Sequence, residues 1–281
     1  MLLVLVLSGA SLPAQETNPP AFFQHPSLTK VWELTGKLKR PESAVYEVKK
    51  EVFLVSNFGD GTVSRIGPDG TVIVRKWCEG LDRPAGLAIH GDKLLAVERK
   101  SLAEVDLETG RILKRIPLLD AKFPNDLVVD GQGAVYVTDT RRGCVYRLAD
   151  GQVEVWLEGE AFREPNGICL MKDRLLVGTR ADGAIKSIDL KTRQVTTLQA
   201  LGPDINMDGL LGDGQGGYLF SEYAGRIYRV DAAGQRTLLL DRRGLRQFTA
   251  DFWYSPEKHL LVVPSLNGDL LTAYSYNPDT P

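Results

Sequence analysis

The sequence predicts an all-β fold, a six-bladed β-propeller, on three observations: a phrase repeated six times, an excess of glycine, and no helical period after the first residues. The phrase recurs as PESAVYEVKKEVFLVSN from Pro41, PAGLAIHGDKLLAVE from Pro84, PNDLVVDGQGAVYVTD from Pro124, PNGICLMKDRLLVGTR from Pro165, MDGLLGDGQGGYLFSE from Met207 and ADFWYSPEKHLLVVPS from Ala250. With the second residue of each phrase as an anchor, Glu42, Ala85, Asn125, Asn166, Asp208 and Asp251 fall 40 to 43 residues apart, the period of a four-stranded propeller blade. Glycine, 28 of 281 residues, stands at about 10% against a usual ~7%, and a chain of many short strands is where such an excess is used, in turns.

Each unit opens with an apolar strand, turns on Gly, Asp or Lys, and returns as a second apolar strand such as VFLVS, KLLAV, AVYVT or YLFSE. Two more strands follow. In the third unit they are GCVYRLA and VEVWLE, divided at Asp150 and Gly151, and in the fifth GRIYRVD and RTLLLD, divided at Ala233 and Gly234. The sixth unit ends after TAYSYN with three strands, while an extra strand, KVWELTGKL over Lys30 to Leu38, precedes the first anchor. That strand is expected to complete blade six, closing the ring and removing the sheet edge that would otherwise be open to another chain. The expected organisation is a leader over 1–14, a linker over 15–29 and one propeller domain over 30–277.

A composition of 43% apolar and 25% charged residues excludes the disordered and collagen-like classes. The formal charge of −2 offers no basic field for phosphates, which argues against nucleic acid as a partner. The opening MLLVLVLSGASLPA is shorter than the ~20 residues of a membrane span and resembles a secretory signal, with cleavage after Ala10 or Ala14, although no Lys or Arg precedes its apolar run. The expectation is an exported protein, periplasmic or extracellular, with no stable membrane insertion. Cys78, Cys144 and Cys169 cannot all pair and lie in strand contexts, so they are expected to be buried thiols.

Because each anchor holds the same place in its blade, the six side chains are expected to converge on one mouth of the central channel. The ring then holds Glu42, Asn125, Asn166, Asp208 and Asp251, all oxygen donors, with Ala85 leaving a gap. Carboxylates held this close raise one another's pKa, and a divalent cation relieves the conflict. Oxygen donors favour calcium, with magnesium, manganese or zinc as alternatives, zinc being the one that prefers His and Cys. A second ring, fourteen residues on, comprises Ser56, Asp139, Arg180, Glu222 and Ser265, with Glu98 in the shorter second unit. Of these, Glu98, Asp139, Arg180 and Glu222, with Asn125, are the candidate contacts to a small-molecule substrate.

Other motifs lead nowhere. Gly212, Gly214 and Gly217 spell GxGxxG, but the run matches the hairpin turn of the third unit and opens no helix, as a dinucleotide site requires. His90 and His259 fall in hairpins away from the anchors and His25 in the linker, so no histidine is placed to act as general base. No GxSxG elbow occurs.

The motifs PES at Glu42, PNDLVVD at Asn125, PNGI at Asn166 and MDG at Asp208 resemble the signature of the regucalcin, gluconolactonase and luciferin-regenerating-enzyme family, within the calcium-dependent phosphotriesterase superfamily. Diisopropylfluorophosphatase and paraoxonase are structural relatives. The resemblance covers roughly residues 30 to 276 and implies a divalent metal at the channel mouth, held at Glu42, Asn166 and Asp208, with Asn125 as a fourth ligand or substrate contact. It also implies hydrolysis of a lactone, ester or phosphotriester, with Asp208 or Asp251 activating water. In sugar-lactone members an arginine stands two residues before the third-unit Asn, where this chain has Phe123, so a less polar lactone or ester is expected. The alternative is a non-enzymatic propeller with a structural channel metal, binding a protein or small ligand.

Overall fold

The computed structural model describes residues 22–278, and the leader read over 1–14 lies outside them. Six antiparallel sheets follow one another around a ring, each built from the four strands expected of a blade. Blade three is representative: Pro124–Val129, Val135–Asp139, Cys144–Ala149 and Gln152–Glu158 run from the channel outward. Its outer hairpin turns on Asp150 and Gly151, with φ of 53° and 74°. Two successive positive φ angles give the primed turn whose twist matches the flanking strands. Apart from two single-turn helices, Glu160–Phe162 and Arg243–Leu245, the described residues form strands and loops.

Blade six combines Trp253–Ser255, Leu260–Ser265 and Leu270–Tyr276 with Leu28–Thr35 as its outermost strand, so the ring closes as the repeat arithmetic requires. The closing strand starts at Leu28, two residues before the expected Lys30. Phe23–Gln24, in the stretch read as linker, adds a short fifth strand to blade five by pairing with Asp241 and Leu240. Proline content hid this pair, since an edge strand needs only alternate backbone groups.

The core is divided among the blades. Six apolar clusters form, one at each interface between neighbours, so every blade buries both faces. The seam between blades six and one carries a cluster of four rings: Phe53 packs on Trp253 at 5.2 Å, on Tyr46 at 4.9 Å and edge-on to Trp32 of the closing strand at 6.3 Å. Asp269 locks the same seam, accepting from the Arg40 backbone N–H at 2.7 Å and pairing with Lys39 at 3.2 Å. All three cysteines are buried free thiols, as expected. Burial pushes Cys78 and Cys144 up to about 12, which keeps them protonated and inert.

Candidate functional site

The innermost strands begin with an irregularity that builds the site. Strand pairing skips two residues between Pro41 and Ala44, Pro124 and Leu127, Pro165 and Ile168, and Met207 and Leu210. The first skipped residue of each pair, Glu42, Asn125, Asn166 or Asp208, lines a cavity at one channel mouth together with Ala85. The second skipped residue lies one layer deeper.

This register corrects the sixth anchor. Ala85 donates its N–H to Val97 at 2.9 Å, and the matching bond in blade six runs from Ala250 to Pro264 at 3.2 Å. Ala250 therefore occupies the outer tier. Asp251, expected in the mouth ring, stands in the deeper tier beside Asp126 and faces a different cavity. Matching the sixth phrase on its aspartate rather than on its strand pairing caused the slip, and one residue of slip changes the layer a side chain enters. The deeper tier reads Ser43, Gly86, Asp126, Gly167, Gly209 and Asp251. Its glycines are needed for space: a Cβ on Gly86 would come within 2.7 Å of Asp126 Oδ1, and one on Gly209 within 2.8 Å of Asp251 Oδ1. Asp126 was missed by the sequence reading, although an acid at a position held by Gly or Ser in four of the other five blades was a usable signal.

The mouth cavity has a volume of about 220 Å3. Above the polar floor its walls are Arg40, Phe58, Phe123, Arg180, Tyr223 and Leu266. Arg40, Tyr223 and Leu266 also border an adjoining cleft of about 490 Å3, so the two spaces form one entrance. The floor's donors are held from behind. Asn125 donates its Nδ2 to Thr140 Oγ1 at 3.3 Å and Asn166 its Nδ2 to the Met207 carbonyl at 3.1 Å, which leaves both carboxamide oxygens without a protein donor. Glu42 Oε2 is buried with no hydrogen-bond partner. An orphaned carboxylate oxygen beside two carbonyl oxygens and Asp208 is a set of hard donors, and these residues fit a hard divalent cation.

Burial raises Glu42, Asp126, Asp208 and Asp251, and repulsion from neighbouring acids adds to it at the first three. Desolvation and the charges of Asp208, Asp251 and Asp126 hold Glu42 well above the usual carboxylate range. Desolvation raises Asp208 to about 7 although Arg180 and Asn166 oppose it. Asp251 rises by burial to about 6 despite a 2.6 Å hydrogen bond from Ser43. Asp126 is raised by burial and by Asp251, while the backbone N–H groups of Ile168 and Leu127 hold its two oxygens at 2.9 and 2.7 Å.

Of the second ring, the structure brings only Arg180 into the cavity. Glu98 accepts from the Asp82 N–H at 3.0 Å, from Ser101 at 2.6 Å and from Arg115. Asp139 accepts three backbone N–H groups, from Lys122, Phe123 and Arg142. Glu222 accepts from the Ala224 N–H and from Arg226 at 2.8 Å. Ser56 is tied to the Ser43 backbone and Ser265 lies beside Asn267. These side chains latch second-strand ends to loops and are not free for a substrate. Beside Arg180 the cavity is walled by Tyr223 and Leu266, one residue past Glu222 and Ser265, and by Phe58, two past Ser56. His90 and His259 lie in the hairpins at the far ends of the first strands, as expected.

No family model matches the chain, and no curated protein matches it. Solved structures share its fold. A gluconolactonase from Xanthomonas campestris superposes with a TM-score of 0.74 at 19% identity, covering 96% of this chain and 98% of its own. A second chain, provisionally described as a gluconolactonase, gives 0.71 at 18% identity over 89% and 92%. Virginiamycin B lyase from Staphylococcus aureus gives 0.69 at 14% identity over 89% and 99%. The class defined is therefore a six-bladed propeller of the architecture that gluconolactonases and streptogramin lyases share.

Proposed function

We propose that this protein is a metal-dependent hydrolase of a lactone or related ester, working at the mouth lined by Glu42, Asn125, Asn166 and Asp208. The observation that carries the reading is the donor set itself: the orphaned Glu42 oxygen beside Asp208 and the carboxamides of Asn125 and Asn166 on one cavity floor. Those four residues would hold one divalent cation, calcium first, and the ion would supply Lewis-acid polarisation of the substrate carbonyl. The likeness in fold to a gluconolactonase supports the same class of reaction.

The chain's own groups divide the remaining work. Asp208 is the floor carboxylate placed to take a proton from an attacking water. Arg180, placed in the cavity and fixed through its Nε to Asn206, puts a guanidinium where negative charge develops. Phe58, Phe123 and Leu266 exclude water and favour an apolar substrate body over a polyhydroxylated one. Asp251 is assigned no proton transfer at this mouth, because it faces the other cavity.

The test is elemental analysis of extensively dialysed protein followed by a lactone and ester panel with and without chelator. One cation per chain, with turnover lost to the chelator, is the expected result. Bound metal without turnover of any panel member would support a binding propeller in its place. For the leader, intact-mass measurement of protein from an exporting host tests removal of residues 1–14.

A further inference from the structure

The two phenylalanines that wall the mouth cavity are each overlaid by arginine. Arg40 and Arg83 both lie over the Phe58 ring, with Cζ at 5.3 and 5.6 Å from its centroid, and Arg141 lies over Phe123 at 5.3 Å. Arg40 and Arg83 hold the same place in consecutive blades, two residues before the outer-tier residue, and both adopt left-handed backbone, with φ of 49° and 52°. Glu164, at the same place in blade four, is also left-handed, with φ of 55°, so the conformation belongs to the blade, and what sets blades one and two apart is the guanidinium each carries there over one ring.

No acid answers them. None of Arg40, Arg83 and Arg141 makes a side-chain hydrogen bond or ion pair among the described residues. By contrast, Arg115, Arg226, Arg229 and Arg243, at other latches, are each paired with a buried carboxylate. A cation over an aromatic face gains ~0.5–1 kcal/mol at an exposed site, but two like charges sharing one ring repel, and an anion between them removes that repulsion. Arg180 adds a further positive group inside the same cavity, and its charge and that of Arg40 both act on the Tyr223 phenol.

We infer that the substrate carries a carboxylate, bound at the rim by Arg40 and Arg83 over Phe58 while its lactone or ester carbonyl reaches the floor of the cavity. The inference rests on the proposed hydrolase reading for the reacting end of the substrate, but the anion site stands on the arginines alone.

Two measurements test it. The first is calorimetric titration of the wild type and the Arg40→Gln/Arg83→Gln variant with glutarate, a dicarboxylate that cannot be hydrolysed. Lys50→Gln, which removes one positive charge at the opposite face, serves as control. Glutarate should bind the wild type and the control alike, more weakly as salt is raised, and about tenfold more weakly or not at all in the double variant. The second compares kcat/KM for γ-butyrolactone bearing a γ-carboxylate with that for the corresponding carboxamide. The carboxylate should be preferred by about tenfold, mostly through KM, and the preference should collapse toward unity in the double variant. Absent glutarate binding, equal binding by wild type and double variant, or equal use of the two lactones by the wild type would each overturn the inference. Glutarate binding that depends on the arginines, with neither lactone nor any member of the lactone and ester panel hydrolysed, would leave the anion site standing and remove the hydrolase reading.

Discussion

At one end of the central channel lies a cavity of about 220 Å3 floored by oxygen donors, and at the other a cavity of about 830 Å3 walled by apolar side chains such as Val45, Val128, Leu170 and Trp253. Volume alone would direct attention to the larger space, which falls in the range common for ligand pockets. The chemistry points to the smaller one, because that is where the donors of the fixed scaffold are unanswered. In the larger cavity Asp126 has both oxygens held by backbone N–H groups and Asp251 is held by Ser43. At the mouth a Glu42 oxygen is buried with no partner, and Asn125 and Asn166 give their Nδ2 groups to Thr140 and to the Met207 carbonyl. The same six strands make both ends, so the difference arises from the one-residue offset between the two tiers.

The comparison is broken most directly at Asp208. Asp208→Ala should abolish calcium binding by calorimetry and reduce turnover by about three orders of magnitude, with the far-ultraviolet spectrum unchanged; retained turnover would sink the assignment of this mouth. A smaller effect, on stability, is expected for the latch that holds the Phe123 loop. Asp139→Ala strands three backbone donors and should lower unfolding free energy by about 3 kcal/mol in urea titrations.

The acids themselves make the metal-free protein sensitive to pH. Glu42, Asp126, Asp208 and Asp251 all have folded pKa values raised above those of the unfolded chain, so the folded state binds more protons. The stability they contribute is fully present below about pH 4 and is lost as pH rises through about 6 for Asp251 and about 7 for Asp208. Melting temperatures of chelator-treated protein should therefore fall between pH 5 and pH 8, and calcium should restore them at pH 8. A flat profile would mean that the four groups are solvated.

Asp251→Asn sharpens the contrast between tiers. It removes a charge that raises both Glu42 and Asp126, so the metal-free variant should melt higher than wild type at pH 8. Calcium affinity at the mouth should change by less than about tenfold. Loss of hydrolysis with metal still bound would instead return the role of base to Asp251. The smallest effect belongs to the rim of the large cavity, where Leu198→Ser, at a side chain 47% exposed, should alter stability by no more than about 0.5 kcal/mol and leave turnover unchanged.

The architecture was legible because a repeat converts one local pattern into a ring: blade count, the closing strand and the fate of all three cysteines follow from phrases that can be laid over one another. Four of the five polar anchors were legible for the same reason. Asp251 was misplaced because the sixth phrase lacks the proline or methionine that marks the others, and only backbone pairing distinguishes Ala250 from its neighbour. The second ring was read as substrate-facing because sequence spacing shows where a strand ends but not which groups its last side chain meets. Asp139 and Glu98 turned out to face unpaired backbone N–H groups of the preceding loops. Arg40 and Arg83 could not be singled out, since what distinguishes them is that neither guanidinium forms an ion pair among the described residues.

The closing strand also sets the order in which the site can come into being. Leu28 pairs with Tyr276, and the Ser43 hydroxyl donates to Asp251 across the same seam, contacts between residues separated by almost the whole chain. Loop-closure entropy grows only slowly with length, but contacts of such separation make folding slow. During synthesis the first blade must wait with one face unburied until the last has emerged. The channel, and any cation or substrate it holds, therefore belongs to the finished ring, in which the strand Pro41–Glu47 that carries Glu42 packs beside Trp253–Ser255 and Leu260–Ser265 of blade six.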